Sequence, residues 1–289
     1  MKSYILYNPL AGHSTDKEYL NTLKDTAKGE VIFKNITEIE DLSGFLSGIP
    51  EEDTIILCGG DGTVNRFVNH VDFESVTHEI YYYASGSGND FLHDLSGNSE
   101  KSLIPIRKYL LNLPTVDVNG VTHKFVNGVG YGIDGYCCEI GDVQRASSTK
   151  PVNYTMIAIK GLLFHYKPTN ATVTVDGKEY KYDKVWIAPT MNGRFYGGGM
   201  MPAPNQDRLN PEGKVSLMVF HGTGKLKTLM IFPSLFKGEH VKHTDAVTIH
   251  EGKEITVRFD RPAPLQIDGE TVLGVNEYTV HAGVREKVS

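Results

Sequence analysis

Residues 54–65 read Thr54-Ile55-Ile56-Leu57-Cys58-Gly59-Gly60-Asp61-Gly62-Thr63-Val64-Asn65. The first five form an apolar run of strand length, and beyond the glycines Val64, Phe67, Val68 and Val71 recur at helical spacing. The pattern predicts a buried strand, a glycine-rich turn and a helix beginning near Thr63. Three glycines in four positions let backbone N–H groups come closer to a ligand than any Cβ would allow. The helix N-terminus adds partial positive charge, which suits phosphate. An acid among those glycines would repel a bare phosphate, so Asp61 is expected to face a divalent cation or a substrate hydroxyl. The stretch lacks the Gly-Lys-Ser/Thr of a P-loop and the Gly-x-Gly-x-x-Gly of a dinucleotide turn. Taken alone it reads equally well as a tight βα turn with an acidic cap.

The flanking chain widens the signal. Ser3–Tyr7 predicts a first strand, followed by the turn Asn8-Pro9-Leu10-Ala11-Gly12. A helix marked by Leu20, Leu23 and Ala27 leads to a second strand over 30–34, ending near Asn35-Ile36-Thr37. Ile80–Ala84 predicts a fourth strand running into Ser85-Gly86-Ser87-Gly88-Asn89-Asp90-Phe91. Strands alternating with helices imply an α/β domain with a doubly wound, mostly parallel sheet, whose ligands bind at the carboxyl ends of the strands. Each of the three Gly/Asn-rich turns follows a strand, so all three fall on that rim.

After about Pro114 the texture changes to short alternating runs, among them 115–118, 123–126, 171–175, 184–188, 215–220, 246–250, 255–259 and 277–281. Asn119-Gly120 and Asp176-Gly177 are hairpin signals. The second half therefore predicts a β-rich antiparallel sandwich, with helices at 152–166 and 226–236. The division expected is 1–114 and 115–289, with the extreme C-terminus left able to return to the first domain.

Composition bounds the class. Over 289 residues, 40% hydrophobic and 22% charged describes a globular chain with ample core. Cys58, Cys137 and Cys138 have no metal-ligand spacing and fit a reducing compartment. No charged n-region with an apolar h-region opens the chain, which points to a cytoplasmic protein. A formal charge of −6 argues against nucleic acid as a partner and makes any attraction to an anionic membrane a matter of local patches. Trp186 reads as core, and His240 with His243 as solvated rather than metal-binding.

By Asn89-Asp90 the pattern resembles the diacylglycerol kinase catalytic-domain family, which includes bacterial lipid kinases and sphingosine kinases. The resemblance rests on Tyr7-Asn8-Pro9 with Ala11-Gly12, on Gly59–Asn65 and on Gly86–Phe91. It continues through Asn127–Asp134, Tyr196-Gly197-Gly198-Gly199-Met200 with Ala203-Pro204-Asn205, Phe236–His240 and Ile267-Asp268-Gly269-Glu270. Seven pieces in the family's order, spread over almost the whole chain, are far more specific than any one.

The resemblance implies an ATP- and Mg²⁺-dependent lipid kinase acting on a lipid alcohol such as diacylglycerol, with ATP in a cleft between the two domains. Asn8, Pro9, Leu10, Ala11, Gly12, Thr37, Gly59, Gly60, Asp61, Gly62, Thr63, Asn65, Gly86, Ser87 and Asn89 would line the nucleotide. Asp61 would act on the metal or the attacking hydroxyl, and Asp134 would belong to a carboxylate network near the metal. Asp268 and Glu270 would include the general base, since a carboxylate that deprotonates the acceptor must come from the acceptor's side. An Asp-Gly turn is also ordinary between two strands. Peripheral membrane contact at the inner face is expected, and a homodimer is left open. The apolar sets 156–164 and 229–236, beside Lys225, Lys227 and Lys237, are expected mostly in the core, with an acyl groove or a bilayer as the other uses.

Two departures from the family pattern stand out. Arg66 replaces a usual Glu, reversing a charge beside the loop. Asn210-Pro211-Glu212-Gly213-Lys214 replaces an Asp-Asp-Gly run that bacterial members use for a structural Mg²⁺, leaving Glu212 as the acid there. A binding regulator without turnover, and an NAD kinase sharing the Gly-Gly-Asp-Gly loop, are the alternatives.

Overall fold

Runs of β-branched, leucine and aromatic residues that are apolar on both faces become the centre of a parallel sheet, because helices must cover both sides. β1 (Lys2–Tyr7), β3 (Thr54–Gly59) and β4 (Ile80–Ala84) have this character, and in β3 every residue after Thr54 is buried. The computed structural model describes residues 1–9, 17–86, 88–96, 103–147, 152 and 154–283. It divides into two units, 1–113 and 114–289.

In the first unit β2 (Glu30–Asn35) and β5 (Ile104–Pro105) complete a five-stranded sheet of order β2-β1-β3-β4-β5. The first three pairings are parallel and only β4–β5 is antiparallel. Pro105 cannot donate to a ladder and sits on the edge strand, where that costs least. The helices are α1 (Lys17–Thr26), α2 (Leu42–Ser47), α3 (Asp61–His70), α4 (Asp90–Ser96) and α5 (Arg107–Leu110). α3 begins two residues earlier than the pattern predicts, and it buries Val64, Phe67 and Val68 completely, each contributing on the order of 2 kcal/mol. Tyr7 pairs with Cys58 and Cys58 with Tyr83, so β1, β3 and β4 end level and deliver their turns to one rim.

The second unit holds β6 (Thr115–Val118), β7 (Val121–Lys124), β8 (Gly128–Tyr131), β9 (Thr169–Val175), β10 (Lys178–Val185), β11 (Thr190–Met191), β12 (Val215–Phe220), β13 (Val247–Gly252), β14 (Glu254–Ile267) and β15 (Glu270–His281). They pair antiparallel in the order β13-β12-β11-β8-β14-β15-β6-β7, with β9 joining β10 to β14. Asn119-Gly120 and Asp176-Gly177, all at positive φ, make the two tight hairpin turns that the dipeptides signal. The core between the layers includes Val173, Leu217, Val257 and Tyr278, with Tyr131 stacked on Phe259 at 3.7 Å.

Helices α6 (Ile133–Ser147), α7 (Tyr154–Lys160) and α8 (Lys225–Ile231) pack around Trp186, which is core as expected and donates from Nε1 to the Thr223 carbonyl at 3.0 Å. A π-helical turn, Gly161–His165, extends α7. α6 has no forerunner in the sequence reading. Its buried face is Ile133, Asp134, Gly135, Cys137 and Gly141, so small residues and an acid hide the helical period. The reason for small residues is proximity: a Cβ on Gly135 would lie 1.9 Å from the Pro264 carbonyl oxygen. Strands 255–259 and 277–281 prove to be halves of the much longer β14 and β15. His240 corrects another expectation, being fully buried with Nε2 against the Pro202 carbonyl at 2.9 Å.

Candidate active site

In the first unit the rim is built from backbone. Gly60 is the N-cap of α3 and no side chain caps the helix, so its amino end is bare of protein acceptors of that kind. A Cβ on Gly59 would strike Thr63, whose hydroxyl accepts from Asn8 Nδ2 at 3.1 Å. A Cβ on Gly86 would lie 2.6 Å from Gly60 Cα, so the β3 and β4 turns touch backbone to backbone. The Ser85 amide donates to the Gly59 carbonyl at 2.9 Å, and Tyr82 Oη donates to the same oxygen at 3.0 Å. Burial, then the Asp61 charge, pushes the Tyr82 phenol far above its ordinary range, so it remains a donor.

Gly62 differs from its neighbours: a Cβ there would meet nothing. Packing requires glycine at 59, 60 and 86 but not at 62, where the open face of the turn is what a side chain would fill. Two buried polar atoms of the turn after β4, Ser85 Oγ and Asn89 Oδ1, have no hydrogen-bond partner among the described residues. Asn89 holds a left-handed φ of 50°, which asparagine tolerates better than most residues. A bare helix end and an open glycine face together fit a phosphate-bearing ligand.

Asp61 plays a part that its position in the motif does not announce. Its Oδ2 accepts from the Asp90 amide at 3.0 Å and its Oδ1 from the Phe91 amide at 2.8 Å. The acid caps α4 and ties the β3 turn to the β4 turn. Thr37 lies in the short 3₁₀ turn after β2, donating through its amide and hydroxyl to Asn35 Oδ1. Asn65 lies in the first turns of α3, its carbonyl accepting from Asn69 Nδ2 at 2.9 Å. Arg66 is on the exposed side of that helix, so the reversed charge faces solvent. Of the residues expected at the nucleotide, Leu10, Ala11, Gly12 and Ser87 lie outside the described residues; Pro9 and the others are within them.

The second unit assembles side chains instead. Asp268, at a φ of 47°, accepts from the backbone amides of Val126, Asn127 and Gly128, the last two at 2.8 and 2.9 Å. The same segment is held from its other side by Arg208, a buried cation that donates to the Val126 carbonyl and to Asn127 Oδ1. Asn192 Nδ2 adds a bond to the Val126 carbonyl at 2.9 Å. Arg208 and Asn192 were not among the expected site residues; nothing local in the sequence marks them. Glu270, two residues on, is exposed at the start of β15 and its carboxylate accepts no hydrogen bond from a described residue. The geometry separates the two acids: Asp268 is committed to the backbone, whereas Glu270 is available to a substrate.

Asp134 is buried at the start of α6. Tyr196 Oη donates to its Oδ2 at 3.1 Å and the Gly135 amide to its Oδ1 at 3.0 Å. Burial pushes its pKa up to about 6, against the pull of these bonds and of the Gln266 amide that faces it. Gln266 accepts the Gly269 amide on Oε1 at 2.7 Å, so the side chain that faces Asp134 also braces the turn that carries Glu270, although its Nε2 makes no hydrogen bond to a described residue. Gly197, Gly198 and Gly199 all have positive φ and close a loop in which Tyr196 and Met200 exchange backbone hydrogen bonds, aiming Tyr196 at Asp134. Burial raises Cys138 to about 12, so this thiol beside the network stays protonated. A cavity of about 410 Å³ is lined in part by Ala203, Pro204 and Asn205; Asp134, Asp268 and Glu270 are not among its walls.

A Mg²⁺ that arrives with a triphosphate asks the protein for one or two carboxylates, not a cage. Asp61 is the acid at the open turn, and since each of its oxygens already accepts one amide, a metal there would share them with α4. Glu212 does not fit that demand: it is exposed and ion-paired with Lys214, so an ammonium already occupies it. Among the described residues no three His, Cys, Asp or Glu side chains converge to hold a metal.

Comparison with known proteins gives a consistent picture. Residues 2–114 match the diacylglycerol kinase catalytic domain, and residues 127–282 match the YegS C-terminal NAD kinase beta sandwich-like domain. A Bacillus subtilis protein named "Putative lipid kinase YtlR" is 26% identical over 95% of this chain and 94% of its own length. A Staphylococcus haemolyticus protein, "Putative lipid kinase SH2167", is 27% identical over 76% of this chain and 71% of its own. A solved structure from Bacillus anthracis, titled as a putative diacylglycerol kinase, shares the fold, with a TM-score of 0.66 at 19% identity over 97% of this chain and 93% of that one.

Proposed function

Because the chain belongs to the diacylglycerol kinase catalytic-domain family, we propose that it transfers the γ-phosphate of ATP to the hydroxyl of a lipid alcohol such as diacylglycerol. The observation that carries this reading is the open face at Gly62, in a turn whose other glycines are needed for packing. Phosphoryl transfer asks for alignment and for neutralisation of charge on the moving group, with little covalent chemistry by the protein. Backbone amides at the start of α3 hold phosphate oxygens, at a helix end that no side chain caps. Mg²⁺, when bound with the nucleotide and held by Asp61, would supply the remaining charge neutralisation. Glu270 takes the proton from the acceptor hydroxyl as attack proceeds. Asp268 and Arg208 do not touch the reactants; they hold the backbone at 126–128 and the turn that presents Glu270.

Incubating purified protein with γ-labelled ATP, Mg²⁺ and a panel of diacylglycerol, monoacylglycerol, a sphingoid base and NAD tests the proposal. Label is expected in a phospholipid product. The description of the matching C-terminal domain as NAD kinase-like keeps one rival in view, and transfer to NAD alone would replace the lipid reading with it. ATP binding without transfer to any acceptor would instead support a regulator that has lost turnover.

A further inference from the structure

Thirteen large apolar side chains are exposed among the described residues, and seven of them fall within two short segments, 154–165 and 225–237. They are Met156, Ile159, Leu163 and Phe164 on α7 and its π-helical extension, Leu226 and Met230 on α8, and Phe236 just beyond it. Phe164 is 71%, Leu226 75% and Met230 74% exposed, values more usual for lysine than for such residues. Spacing explains how this arises. Ile157 and Leu162 face the core, and so do Thr228, Ile231 and Leu235. Met156, Ile159 and Leu163 recur at i, i+3, i+7 on the opposite side, as do Leu226 and Met230 at i, i+4. Each segment is therefore apolar on two faces and has only one of them buried. The segments adjoin, since Lys225 Nζ donates to the Leu163 carbonyl at 2.8 Å.

Charge identifies what covers this face. Across these twenty-five residues there are four lysines, Lys160, Lys225, Lys227 and Lys237, and no aspartate or glutamate, in a chain whose formal charge is −6. One acid from outside the segments, Asp245, pairs with Lys227. A second copy of this acidic chain would have to bury the lysines at an apolar contact. An anionic lipid surface accepts the lysines at its headgroups and the apolar side chains below them.

We propose that the face formed by 154–165 and 225–237 docks this protein on anionic bilayers, with Phe164, Leu226 and Met230 inserting and the lysines engaging headgroups. This goes beyond the kinase reading and needs no turnover, so the two can fail separately. The test is cosedimentation of the full chain with vesicles of phosphatidylcholine alone or mixed with phosphatidylglycerol, at low and high salt. Wild-type protein should bind the mixed vesicles and lose much of that binding in high salt. Combined Phe164→Ser, Leu226→Ser and Met230→Ser should weaken binding at least about tenfold with an unchanged melting temperature, because these side chains are already in water. Lys160→Glu with Lys237→Glu should weaken it about as much, at roughly fivefold or more per reversed charge. Failure of wild type to bind mixed vesicles, or undiminished binding by the serine variant, would overturn the proposal. So would a wild-type dimer that the serine substitutions dissociate while vesicle binding is absent; that result assigns the face to a second copy. Vesicle binding without phosphate transfer would leave the docking face standing and remove the kinase reading instead.

Discussion

The glycine turns of the first unit and the acid network of the second are built on opposite plans. The turns are backbone: Gly60 and Gly86 touch, Asp61 binds two amides of α4, and the useful surface is what Gly62 leaves open. The network is side chain: Asp134, Tyr196, and Gln266 with Asp268 come from three separated stretches and are mostly buried. A backbone site is sensitive to volume, whereas a buried side-chain network is sensitive to protonation and to lost partners. Mutations can test that contrast directly.

The largest effect is expected where chemistry and support part company. Glu270→Gln should lower kcat by about 10²–10⁴ while leaving the melting temperature alone, since the carboxylate bonds to no described residue. Asp268→Ala should do the reverse, costing at least about 2 kcal/mol of stability by orphaning three amides. Similar profiles for the two variants in paired kinetics and denaturation would erase the distinction drawn between them.

Asp134 sharpens the contrast through pH. Its folded pKa of about 6 exceeds the ordinary carboxylate value, so between about pH 4 and 6 the native state binds more protons than the unfolded state. Stability from this group is therefore present below pH 4 and lost as pH rises to 6, by on the order of 3 kcal/mol. Relative to Asp134→Asn, the wild type should lose that much in urea titrations across this window. A constant difference between the two would mean that Asp134 is solvated.

Volume is the test for the other site. Gly86→Ala drives a methyl group into Gly60 and should cost about 1–3 kcal/mol as well as activity. Gly62→Ala should instead stabilise the protein by up to about 1 kcal/mol, being an unobstructed glycine in the first turn of a helix, yet weaken ATP binding in calorimetry. Unaltered affinity in that variant would place the nucleotide elsewhere. The smallest effect belongs to Glu212→Gln, which should leave both melting temperature and the Mg²⁺ dependence of transfer as they were, because its partner is a surface lysine.

Legibility followed the same divide. β3, its glycine turn and α3 were readable because strand, turn and helix are consecutive and each carries its own periodicity. The ends of β14 and β15 were readable, but not their length. α6 was not readable, since its buried face is glycine, cysteine and aspartate packed against a neighbouring strand's carbonyl. Of the two apolar stretches expected mostly in the core, Ile157, Leu162, Ile231, Phe232 and Leu235 are buried, whereas Met156, Ile159, Leu163, Phe164, Met230 and Phe236 are exposed. Periodicity places a residue on a face; it does not say what that face meets.

Local order along the chain was enough to determine the two-part α/β and antiparallel architecture, the rim of glycine turns and the candidate acids, because backbone conformation and hydrophobic period are short-range properties. The tertiary structure alone decided which acid supports and which is available, that Arg208 and Asn192 hold the segment at 126–128, and which apolar side chains remain in water. Those outcomes depend on partners 60 to 140 residues away in sequence, and a hydrogen bond or a buried face exists only once folding has brought both sides together.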